Sequence, residues 1–120
     1  MRLTEGERHI MELLWDNGPM SAKELVAALW ARIEWKKTTT YTMLSRCIEK
    51  GMIRREDPGF LCVPIITRES VKIEETRRLI ETEYGGSVDL LMTALIGQGQ
   101  LKAAQLRKLY ETLENMEDDA

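Results

Sequence analysis

Helix stops and starts follow one another so closely in the first 51 residues that only short helices fit between them, and short helices hold together only by packing on one another. Thr4, with Glu7 three residues on, forms the capping box that opens the first helix. Ile10, Leu13 and Leu14 then share a face, and Asn17-Gly18-Pro19 stops it. Ser21 and Glu24 repeat the box, and Leu25, Ala28 and Leu29 give the second helix a short apolar stripe. A third helix runs from about Thr38 to Lys50 and ends at Gly51, the residue suited to a left-handed turn past a helix end. Met52–Arg55, the turn signal Asp57-Pro58-Gly59 and Phe60–Val63 read as a hairpin of two short strands. Three helices and a hairpin predict a mainly α protein that begins with a winged helix-turn-helix domain over residues 1–66.

The third helix is built against its own propensity. Thr38, Thr39, Thr40 and Thr42, with Tyr41 among them, crowd its first turns with the branched and hydroxylated side chains that favour a helix least. Turning about 100° per residue, the helix gathers Thr40, Leu44, Cys47 and Ile48 on a core face. Thr38, Thr39, Thr42, Ser45 and Arg46 point the opposite way, where a merely solvated face would carry Ala, Leu, Gln or Lys. Short hydroxyls permit close approach and donate to phosphate oxygens, a threonine methyl packs on the methyl of thymine, and the Arg46 fork matches a guanine edge. Tyr41 sits on the flank, facing a sugar-phosphate backbone. Lys36 and Lys37 stand just before the helix, whose positive dipole end attracts phosphate.

Charge is distributed to match. The net charge is only −3, but from Lys36 to Arg55 there are six bases, Lys36, Lys37, Arg46, Lys50, Arg54 and Arg55, against the single acid Glu49. Arg54 and Arg55 at the base of the hairpin are candidate wing contacts. Adjacent strand residues point to opposite faces, so only one of the two is expected to serve.

From Thr67 to Ala120 the pattern is helical throughout, and acids outnumber bases. A charged segment from about Arg68 to Tyr84 is broken by Gly85-Gly86, and Ser87 caps a nearly all-apolar piece from Val88 to Ile96. After the Gly97–Gln100 loop a last helix brings Leu106, Leu109, Tyr110 and Leu113 to one face, before the acidic end at Glu117–Asp119. A segment this short is near the size at which self-contained cores become marginal. Val88, Leu91, Met92, Leu95, Leu106, Leu109, Tyr110 and Leu113 are therefore expected to form a dimer interface within a helical domain over 67–120, two-fold pairing being the commonest solution.

Other chemistries find little support. The one histidine, His9, has Glu5 and Glu12 nearby on the same helix, a charged face rather than a metal site, and neither a phosphate-cradling glycine loop nor a nucleophile–histidine set is present. No enzyme activity and no cofactor is expected. Cys47 and Cys62 read as small buried hydrophobes. No apolar run approaches the roughly 18 residues of a membrane span, and the opening MRLTEGERHI lacks the apolar core of a secretion signal, so a cytoplasmic location is expected.

Glu7-x-x-x-Met11-x-x-x-Trp15, then Thr39-x-x-Thr42-x-Leu44-x-Arg46 with Lys50-Gly51, then the Gly85-Gly86 pair, together resemble the penicillinase repressor family over nearly the whole chain. The resemblance implies a bacterial repressor that binds a palindromic operator in double-stranded DNA as a homodimer and is released by a signal. It implies DNA contacts at Thr38, Thr39, Tyr41, Thr42 and Arg46, and a sensor protease or other signalling protein as a partner. Family members inactivated by proteolysis carry an Asn-Phe bond in the short helix after the glycine pair, near the position of Thr93 and Ala94 here, and the copper-responsive members' C-terminal Cys-x-Cys pairs have no counterpart after Cys62. The rival reading is a winged helix that contacts proteins without reading DNA, since fold does not dictate function.

Overall fold

The computed structural model describes residues 2–118 and places the elements in the order α1 (Glu5–Asn17), β1 (Met20–Ser21), α2 (Ala22–Ile33), α3 (Lys37–Glu49), β2 (Ile53–Glu56), β3 (Leu61–Pro64), α4 (Arg68–Tyr84), α5 (Val88–Gly97) and α6 (Ala103–Asp118). Both capping boxes are formed. The Glu7 amide donates to Thr4 Oγ1 at 3.2 Å while the Thr4 amide donates to Glu7 Oε1 at 2.8 Å. Ser21 and Glu24 exchange the same pair of bonds at 3.1 and 3.0 Å. Gly51, at φ 78°, closes α3 with its amide on the Ile48 carbonyl.

The sheet is antiparallel in the order β1-β3-β2, with Met20 opposite Cys62 and Arg54 opposite Val63. The two-residue strand β1 is an addition to the expected hairpin. Two residues offer no alternation to read, and this strand exists because β3 presents a free edge to it.

Ile10, Met11, Leu13 and Leu14 from α1, Leu25 and Leu29 from α2, Leu44 and Cys47 from α3, and Met52, Ile53 and Cys62 from the wing form one buried core. Ile48, expected on the core face of α3, is only partly buried and packs at the edge of this cluster. Helices α1 and α3 approach closely through Gly6, where an added β-carbon would fall 2.9 Å from Met43 Sδ.

Glu7 is fully buried in this core. Lys50, at the end of α3, donates to its Oε1 at 3.1 Å and lies 2.8 Å from its Oε2, an ion-pair contact without hydrogen-bond geometry. Burial pushes the Glu7 carboxyl up, but the Lys50 ammonium and the hydrogen bonds with Thr4 outweigh it and hold the group below the usual carboxylate range. One carboxylate thus caps α1 and ties down the end of α3.

The start of α4 belongs to the same body. Arg68 pairs with Glu12 at 2.5 Å and Asp16 at 2.8 Å, Arg8 pairs with Glu75 at 2.7 Å, the Trp15 indole donates to the Ile66 carbonyl at 3.0 Å, and Val71 is buried. The chain divides into compact units Met1–Glu75 and Thr76–Ala120, a division that falls within α4.

In the second unit the Ser87 hydroxyl caps α5 by accepting from the Leu90 amide at 3.2 Å. No residue of α5 is buried. Leu91, Met92, Leu95 and Leu106 are half-buried, while Val88, Leu90, Leu109 and Tyr110 are each more than half exposed. The side chain of Leu113 and the residue Asp119 lie outside the described residues. No described helix is long and apolar enough to cross a membrane.

Lys50→Met removes the partner of a buried carboxylate. It should destabilise the chain by about 1–3 kcal/mol at neutral pH. Because the folded Glu7 value is depressed, its contribution is present above the unfolded pKa and is lost as pH falls through the folded value. The gap in melting temperature between wild type and variant therefore narrows as pH falls from about 5 toward about 3, and an equal gap at pH 7 and about pH 3 would contradict this role.

Candidate nucleic-acid interface

With Thr40, Leu44 and Cys47 sealed against the core, the other side of α3 is turned outward. Thr38, Thr42, Ser45 and Arg46 are exposed and Thr39 is half-buried at the edge of the face. Thr42 Oγ1 donates to the Thr38 carbonyl at 2.9 Å, so its hydroxyl keeps acceptor capacity and its methyl for a ligand. Arg46 enters none of the ion pairs formed among the described residues, in contrast to Arg8, Arg54, Arg55 and Arg68.

The start of α3 differs from the starts of α1 and α2. Its N-cap, Lys36, makes no side-chain capping bond, and its first turn contains no acid. The first-turn amides of a helix need partners, and a phosphate oxygen is well matched to both their hydrogen-bonding and their dipole. Lys36 and Lys37 are exposed beside them.

Tyr41 is half-buried, with its ring edge-on to Phe60 at 5.8 Å and Lys37 Nζ 5.9 Å from its centroid. Its phenol is therefore held by packing, a constraint the helical projection did not show.

On the wing, Arg54 and Arg55 are both exposed and both paired. Arg54 donates to Glu56 Oε1 from Nε at 3.1 Å and from Nη2 at 2.7 Å. Arg55 Nε lies 3.2 and 3.1 Å from the two oxygens of Asp57. Residues two apart on a strand share a face, so the i,i+2 spacing of Arg54 with Glu56 was a signal for that pair, whereas Asp57 reaches Arg55 from the turn that follows β2. Exposed pairs of this kind are worth at most about 1 kcal/mol and yield to a stronger anion.

Three further residues singled out in the sequence acquire definite surroundings. The His9 ring packs edge-on against Trp35 at 5.7 Å. Cys47 and Cys62 are buried free thiols, and burial pushes them up to about 12 and about 11, so neither is a reactive thiolate at neutral pH.

Comparison with known proteins places this geometry. Residues 3–115 match the penicillinase repressor family. An uncharacterised 16.5 kDa protein of Latilactobacillus sakei is 24% identical over 92% of this chain and 77% of its own length. The methicillin resistance regulatory protein MecI of Mammaliicoccus sciuri is 20% identical over 92% of each chain, and a penicillinase repressor of Staphylococcus aureus is 20% identical over 97% of this chain and 94% of its own. The solution structure of the DNA-binding domain of the repressor BlaI superposes with a TM-score of 0.53 at 26% identity, covering 56% of this chain and 84% of that domain.

Thr40 marks the inner limit of the face. Its hydroxyl is fully buried with no partner among the described residues. Thr40→Val should stabilise the chain by about 1 kcal/mol, raising the melting temperature by a few degrees. A lowered melting temperature would show that the hydroxyl has a partner in solution.

Proposed function

Since this chain belongs to the penicillinase repressor family, a family of transcriptional repressors rather than enzymes, we propose that it binds a palindromic operator as a homodimer and is lifted from it by a signal. The carrying observation is the outer side of α3, whose first turn is left uncapped and along which the hydroxyls and, in the last turn, Arg46 face outward. In this reading Thr38, Thr39, Thr42, Ser45 and Arg46 enter the major groove. Lys36, Lys37, Tyr41 and one of the two wing arginines, Arg54 or Arg55, meet the sugar-phosphate backbone, the paired Glu56 or Asp57 giving up its partner to phosphate.

Two copies are the reason a segment like the second unit can exist. Its apolar α5 has no buried residue in a single chain, and each large side chain covered by a partner contributes on the order of 1.5–3 kcal/mol before ordering costs. Val88, Leu91, Met92, Leu95, Leu106, Leu109 and Tyr110 supply that interface. A two-fold pair presents two α3 helices to half-sites spaced about 34 Å or a multiple apart. Release by scission of an Asn-Phe bond does not apply to α5, where Thr93 donates to the Asp89 carbonyl beside Ala94.

Arg46→Ala should weaken binding by about 1–3 kcal/mol and relax preference at one position of each half-site. Titrations against a duplex selected from random DNA by the wild-type chain, and against its single-base variants, check this; unchanged affinity and preference remove Arg46 from the reading set. Leu109→Asp should yield monomers with greatly reduced affinity for the same duplex. Sedimentation showing an intact dimer would contradict the interface.

A further inference from the structure

We infer that Phe60 is a positioning residue that locks the wing to the start of α3, an inference that rests on the duplex-binding reading above. Phe60 carries no polar group and sits outside every set of residues proposed to touch DNA. It nevertheless occupies the junction of three elements. Its ring meets Tyr41 of α3 edge-on, with centroids 5.8 Å apart and planes at 62°, and the guanidinium carbon of Arg55 lies over the same ring, 3.7 Å from its centroid. Its carbonyl accepts the amide of Ala22, the first residue of α2, at 2.9 Å.

Its backbone is held in the left-handed region at φ 48°, a conformation that a β-carbon disfavours. Gly59 before it is also at positive φ, 95°, so the turn holds two consecutive residues in that conformation and the second of them, Phe60, carries the cost. It is offset by what the ring touches. Lys37 Nζ lies 5.9 Å from the Tyr41 centroid, so a continuous row runs from Lys37 through Tyr41 and Phe60 to Arg55, with a cation at each end and two rings between.

The row has a consequence for binding. A cation on a flexible stem loses rotamer freedom when it grips a phosphate. Arg55 stacked on a half-buried ring has already lost much of that freedom, and its separation from Lys37 is set by two rings with few torsions. Phe60 thereby fixes the distance between a phosphate contact at the start of α3 and one on the wing.

The test compares wild type, Phe60→Leu and Phe60→Tyr on a duplex selected from random DNA by the wild-type chain, with thermal melts alongside. Phe60→Leu should bind about tenfold more weakly and lose about one unit from the slope of log affinity against log salt, while Phe60→Tyr restores both. Adding Arg55→Gln to Phe60→Leu should cost nothing further. Phe60→Leu with wild-type affinity and slope, or a fully additive loss with Arg55→Gln, would overturn the inference. Should Phe60→Leu not fold, the wild-type chain still decides: nuclear magnetic resonance signals of the Arg55 side chain should be shifted upfield by the ring, and positions typical of a solvated arginine would overturn the contact. Failure of the wild-type chain to select any duplex would count against the repressor reading, and the upfield shift, which needs no DNA, would judge the Phe60 contact separately.

Discussion

A helix sealed along Thr40, Leu44 and Cys47 has no choice about where its opposite side points, and that burial governs the rest of the first unit. Helix α1 covers one flank at the close approach of Gly6 to Met43. The wing follows directly from the end of α3, with Met52 and Ile53 buried in the same core. The outward row of hydroxyls and one guanidinium without an ion pair among the described residues is thus a geometric result of core packing. Propensity lost in the first turns of α3 is recovered by the apolar surface buried on its inner side.

Electrostatics refine the arrangement. Helices α1 and α2 satisfy their first amides with capping boxes, whereas α3 spends no side chain on this task. Glu7 does double service, capping α1 and holding Lys50, so one of the six bases in the basic stretch is committed to the core. Arg54 and Arg55 carry carboxylates of their own strand and turn. The positive charge presented to a duplex is consequently narrower than the sequence count implied, and it centres on Lys36, Lys37 and Arg46 with one wing arginine available by exchange.

Much of the fold was legible because its signals are local. Capping boxes, stop residues and the apolar periodicity of α1 to α3 each lie within a few residues, and α5 announces itself by its cap and composition. What escaped was either too short or too distant in sequence. Strand β1 has two residues and owes its existence to the edge of β3. The Phe60 junction joins residues 22, 41, 55 and 60, which no window connects. The Arg54–Glu56 pair was readable from its two-residue spacing on one strand, and attention to charge count alone passed over it. The first turns of α4 look like the charged helix they open, and only Val71, Arg68 and Glu75 reveal that they pack with the first unit.

The central claim is that the outer side of α3 is the surface that meets DNA. Amide resonances followed as the selected duplex is added test it most directly. The account predicts large shifts from Lys36 to Arg46 and at Arg54 or Arg55, with the buried Thr40 and Leu44 responding only through the backbone. Shifts confined to the exposed Trp30 and Ile33 of α2, with α3 unperturbed, would contradict it.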